Sequence, residues 1–106
     1  MINQEQLKQL LLTKDPKLKK YFWNGSDENY TLWFPHTEST EMTDDMPEDR
    51  VVQVTITRFT TNPKDRLIYD IQELLESRKV PTDDVLLHYD EETKYYQLIL
   101  ETHVLR

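Results

Sequence analysis

The stretch Arg50-Val51-Val52-Gln53-Val54-Thr55-Ile56-Thr57-Arg58-Phe59-Thr60, followed by Asn62-Pro63 and a helical pattern to Ser77, decides the fold. Val52, Val54 and Ile56 alternate with Gln53, Thr55 and Thr57, so Arg50 to Thr60 reads as a half-buried strand rich in β-branched residues. Asn62-Pro63 then supplies a cap and a proline for the first turn of a helix over Pro63 to Ser77. Leu67, Ile68, Ile71, Leu74 and Leu75 fall at i, i+1, i+4, i+7 and i+8, one apolar stripe. Arg78 and Lys79 suit the negative end of the helix dipole, and Pro81 prevents continuation.

Working outward, Asn3 caps a first helix over Gln4 to Thr13, with Leu7, Leu10 and Leu11 on one face. Asp15-Pro16 opens a second helical turn, Pro16 to Phe22, which Asn24-Gly25 stops. Tyr30 to Phe34 reads as a strand with Tyr30, Leu32 and Phe34 on one face, ended by Pro35. His36 to Asp49 carries Glu38, Glu41, Asp44, Asp45, Glu48 and Asp49 with no Lys or Arg, and reads as a mobile acidic loop. Val85 to Tyr89 and Lys94 to Leu105 form a closing hairpin around Asp90-Glu91-Glu92-Thr93. In the last strand Tyr96, Leu98, Leu100 and Val104 share a face, opposite Gln97, Glu101 and His103. The expectation is one α+β domain over residues 1–106: about four strands, mostly antiparallel, with both helices on one face.

Composition removes several function classes. The chain has 106 residues, room for one sheet and one or two helices. The absence of cysteine excludes disulfides, thiolate metal sites and cysteine nucleophiles. A single glycine argues against phosphate-cradling loops. The start of the chain lacks the pattern of a signal peptide, and no apolar run approaches the ~20 residues of a membrane span. Twenty acidic against 13 basic residues give a net charge of −7, which repels nucleic acid overall.

Catalytic groups do not stand out. His88 and His103 flank the closing hairpin, where they could face each other, and with Glu101 they would make a minimal metal set. Alternation puts His103 on the polar face, and a solvated histidine there is the preferred reading. The acidic pairs Asp44-Asp45, Asp83-Asp84 and Glu91-Glu92 lie in loops and turns, where carboxylates serve solubility. No enzyme activity, metal, cofactor or small-molecule ligand is expected. The aromatic residues say more. If Phe34 and Tyr96 face the core, Trp33 and Tyr95 face outward, and Phe59 and Val51 lie on that outer face of their own strand. These four residues then form either a contact surface for a partner or a surface covered by another segment of the chain.

The element order resembles that of the tail terminator (tail completion) proteins of long-tailed bacteriophages. The residues that carry the likeness are Trp33-Phe34-Pro35 after a short first helix, Val51 to Ile56, the helix Leu67 to Leu75, and the hairpin from His88 to Tyr96. The chain departs from that pattern where the family would have one more strand before Val51; the acidic loop stands there instead. The resemblance implies a ring of identical subunits, commonly six, at the head–tail junction. DNA passes through the ring, and other tail and head-connector proteins are its partners. It also implies residence in the host cytoplasm during assembly and then in the virion. An acidic lumen suits passage without adhesion, and the loop His36–Asp49 would face the lumen or an adjoining subunit.

A different class also fits an acidic, cysteine-free chain of this size. It is a small inhibitor that binds a basic protein, similar to anti-restriction and anti-CRISPR proteins, or an immunity or antitoxin protein. Such an inhibitor would carry a stripe of carboxylates at phosphate-like spacing on one rigid face.

Overall fold

The computed structural model describes residues 2–21, 28–36 and 51–105. In chain order the elements are α1 (Gln4–Lys14), β1 (Lys19–Lys20), β2 (Tyr30–Pro35), β3 (Val51–Thr60), α2 (Leu67–Ser77), β4 (Leu86–Asp90) and β5 (Tyr95–Leu105). The fold is α+β. The β-branched stretch that opened the sequence reading pairs antiparallel with β5 from Val51↔Leu105 to Thr60↔Tyr96. β2 flanks β3, β4 flanks β5, and the five-stranded order is β1-β2-β3-β5-β4. Among the described strand pairs only β1–β2 is parallel.

Both helices lie on one face. Leu7 and Leu11 of α1 and Ile68, Ile71 and Leu75 of α2 share a buried core with Val52, Val54, Ile56, Leu98, Leu100 and Val104. These strand residues fall at alternate positions, as burial of one sheet face requires. α1 begins at a reciprocal cap: Asn3 accepts from the Gln6 N–H at 2.8 Å, and the Asn3 N–H donates to the Gln6 side chain at 3.0 Å.

Three local expectations change. The fifth strand is β1, where a second helical turn was expected. Asp15 takes the N–H groups of Lys17 and Leu18, which closes a short turn, and Lys19–Lys20 then pairs with β2. The Tyr21 N–H continues that contact by donating to Trp33 O at 3.1 Å. Phe22 and the Asn24-Gly25 stop lie outside the described residues, as does nearly all of the acidic loop (Glu38, Glu41, Asp44, Asp45, Glu48 and Asp49).

α2 starts at Leu67 and not at Pro63. Asn62 does act locally, but its side chain accepts from the Lys64 N–H at 2.9 Å and makes a turn. Asp65 repeats the motif on the Leu67 N–H at 2.9 Å. The residues between are spent on placing Asp65 beside Arg58.

The third correction concerns β2. Trp33 does not face outward: it is 4% exposed and belongs to the core. It stands opposite Ile56, which is fully buried under the helices, and directly opposed residues share a face. Phe34 is consequently on the other side, half-buried. Thr31, Trp33 and Pro35 are the helix-facing residues of β2.

Thr31 is tolerated inside because Arg58 donates to its hydroxyl at 3.2 Å. Arg58 also bonds Asp65 at 3.1 Å and approaches Asp15 at 3.7 Å. One guanidinium thus joins β2, the end of α1 and the approach to α2. Burial pushes the Asp65 carboxyl up. The Leu67 N–H and the hydrogen bond and charge of Arg58 outweigh this, so its pKa lies below the ordinary value. A depressed carboxylate contributes stability that is whole above the unfolded pKa of about 3.9 and is lost as pH falls through the folded value. We therefore expect urea midpoints measured from pH 7 to pH 2 to fall less steeply below about pH 4 in Asp65→Asn than in the unaltered protein.

Candidate functional site

The side of the sheet away from the helices divides into an aromatic end and a polar middle. At the aromatic end Tyr30 stacks on Phe59 with centroids 4.8 Å apart, and Tyr95 meets Tyr30 edge-on at 6.0 Å. The Tyr30↔Phe59 register places the first pair, and Tyr95 arrives from the turn between β4 and β5. Burial, and secondarily the adjacent Tyr95, push the Tyr30 phenol up. Of the four expected contact residues, Phe59 and Tyr95 are therefore brought together. Tyr30 joins them, although the apolar alternation of its strand points that stripe at the core.

Val51 does not belong to that cluster. It lies eight residues from Phe59 along β3, or about 27 Å at ~3.4 Å per residue. There it stands opposite Leu105, and the two are 38% and 39% exposed. Trp33, as described, is on the opposite side.

In the polar middle Gln53 donates to Glu101 at 2.6 Å, and the Thr55 hydroxyl to the other carboxylate oxygen at 3.4 Å. His36 Nε2 lies 2.8 Å from that hydroxyl. Thr55 stands on β3, Glu101 on β5 and His36 just past β2, so these three side chains make a cross-strand bracket. His88 and His103 do not meet. Their cross-strand partners are Gln97 and Gln53, and six residues of β5 separate them by about 20 Å. Among the described residues no group of three metal-ligating side chains converges.

The two ends of the sheet differ more sharply. β4 closes one end, with Leu86 62%, Leu87 63% and Tyr89 41% exposed. Asp83 and Asp84 precede it, Asp90 is its last residue, and Glu91 and Glu92 follow it. Asp90 is fixed in the turn by the Glu92 N–H at 2.9 Å, which holds its carboxyl below the ordinary range. Against these carboxylates the turn sets one lysine, Lys94.

β1 closes the other end and is basic: Lys17, Lys19 and Lys20 follow one another around Leu18. Lys20 Nζ lies 5.4 Å from the centroid of the Trp33 ring and 5.5 Å from that of Tyr21. Beside this edge a cavity of about 260 Å³ is lined by Leu12, Leu18 and Trp33 together with Glu5, Lys8, Lys19 and Lys20.

The β4 edge was not singled out in the sequence, where Leu86 and Leu87 look like ordinary strand residues. The signal available was the carboxylates on both sides of a short apolar run, a common way of keeping an exposed strand soluble. No described helix is long and apolar enough to cross a membrane. No protein-family model matches the chain, and no curated protein sequence matches it.

Proposed function

We propose that this chain is a non-enzymatic assembly subunit that forms rings, in the manner of the tail terminators it resembles. The observation that carries the reading is the β4 edge, which no described strand covers. Two leucines more than 60% exposed on a strand that ends a sheet form a surface made to be covered. Adding a strand there supplies main-chain hydrogen bonds as well as apolar contact.

The net charge of −7 supports the finer reading, because a ring that passes DNA must not hold it. Its partners are then copies of itself and the tail and head-connector proteins on either side. Light scattering coupled to size exclusion, at micromolar concentration and above, should give a discrete multimer, and negative-stain images should show rings. A monomer at every concentration, with no binding to a tail-tube protein, would overturn the reading. A monomer that instead captures a nuclease in a pull-down would favour the acidic-inhibitor function.

A further inference from the structure

We infer that β4 of one copy pairs with β1 of the next, so that the ring contact is a sheet continued from subunit to subunit. The inference rests on the ring reading above and names the contact that builds it.

Charge is the first argument. The β4 edge is bracketed by Asp83 and Asp84 at one end and by Asp90, Glu91 and Glu92 at the other, whereas the β1 edge carries Lys17, Lys19 and Lys20. Opposite charges facing across paired strands stabilise the pair, and like charges destabilise it. The same bracket disfavours the simplest alternative, a two-fold dimer through β4 alone. Antiparallel self-pairing sets the residues before the strand against those after it. Asp83 and Asp84 of each copy would then meet Glu91 and Glu92 of the other. Pairing between two different edges is heterologous, the type of contact that propagates into a ring.

Strand direction is the second argument. β1 runs parallel to β2, and each later step across the sheet, to β3, β5 and β4, reverses direction. β4 is therefore antiparallel to β1. Two copies in the same orientation, side by side, meet as an antiparallel pair with their helices on the same face. This is the pairing with the straighter and slightly stronger hydrogen bonds.

Shape is the third. Leu87 stands opposite the buried Leu98, so it lies on the helix-facing side of the sheet. The cavity beside β1 is on that side too, since Trp33 and Leu18 of the core line it. A continued sheet brings Leu87 of one copy toward Leu12, Leu18 and Trp33 of the next.

A charge swap tests this. Lys19→Glu with Lys20→Glu makes both edges acidic, whereas Asp83→Lys, Asp84→Lys, Glu91→Lys and Glu92→Lys together leave Asp90 as the one carboxylate of the β4 bracket and make both edges basic. Each variant alone, shown folded by circular dichroism, should run as the 12.9 kDa monomer. An equimolar mixture should regain the multimer, because every contact between unlike variants again joins opposite charges. If either swap fails to fold, Leu87→Lys replaces it and should also abolish the multimer. Folded variants that assemble like the unaltered chain, or a mixture that stays monomeric, would overturn the β4–β1 contact and leave the ring reading standing. An unaltered chain that never assembles would remove both.

Discussion

Trp33→Ala is expected to cost about 3–5 kcal/mol of stability, the range for deleting a large aromatic side chain from a core. The size follows from position. Trp33 is 4% exposed, opposite Ile56, and packed in the cluster that includes Leu18 and the α1 leucines. A chain of this length has only about 5–15 kcal/mol in total, so the variant should unfold at a much lower urea concentration. Circular dichroism across a urea titration gives the midpoint and slope. An outward-facing Trp33 would behave differently. Surface substitutions usually stay within about 0.5 kcal/mol, and the loss would then appear in assembly and not in folding. A midpoint shift below that level would move Trp33 out of the core and reverse the face assigned to β2.

The reason β2 was hard to read lies in its own residues. Tyr30, Leu32 and Phe34 form the more uniformly apolar stripe, while the true inner stripe is Thr31, Trp33 and Pro35. Pattern alone selects the first. The second is inside because register to β3 decides the face, and because Arg58 satisfies the Thr31 hydroxyl from a distance of 27 residues in sequence. Such a partner is invisible to local reading. β3, α2 and β5 were legible for the opposite reason: each carries its own periodicity, and the alternation of Val52, Val54, Ile56 and of Leu98, Leu100, Val104 survives intact in the core. β1 is two residues long and depends on hydrogen bonds from β2, so no period could announce it. The functional surface divides in the same way. Phe59 and Tyr95 could be read from alternation. Their meeting with Tyr30, and the exposure of Leu86 and Leu87, depend on which strand ends the sheet, a property of topology.

Arg58→Met should cost about 3 kcal/mol at neutral pH, the lower part of the range for removing one partner from a buried ion pair. Methionine keeps most of the apolar stem, so the loss is chiefly electrostatic. The two carboxylates left behind, Asp15 and Asp65, have side chains only 12% and 11% exposed, and each loses its cation. Thr31 loses its hydrogen-bond donor in the fully buried interior of the sheet. The lower part of the range applies because Arg58 itself keeps 14% exposure and water can reach the group. Two further variants separate charge from packing. Asp65→Asn in the Arg58→Met background should recover part of the loss, since an amide is easier to bury than an unpaired carboxylate. The double-mutant cycle built from these proteins should give a coupling energy of about 1–3 kcal/mol between positions 58 and 65. The cost of Arg58→Met should also shrink below about pH 4, where protonated carboxyls no longer need the guanidinium. A cost that stayed the same from pH 7 to pH 3, with no coupling in the cycle, would show Arg58 acting through its hydrogen bond to Thr31 and its packing, and not through the two carboxylates. The end of α1 and the approach to α2 would then be held by core packing and not by this one charge.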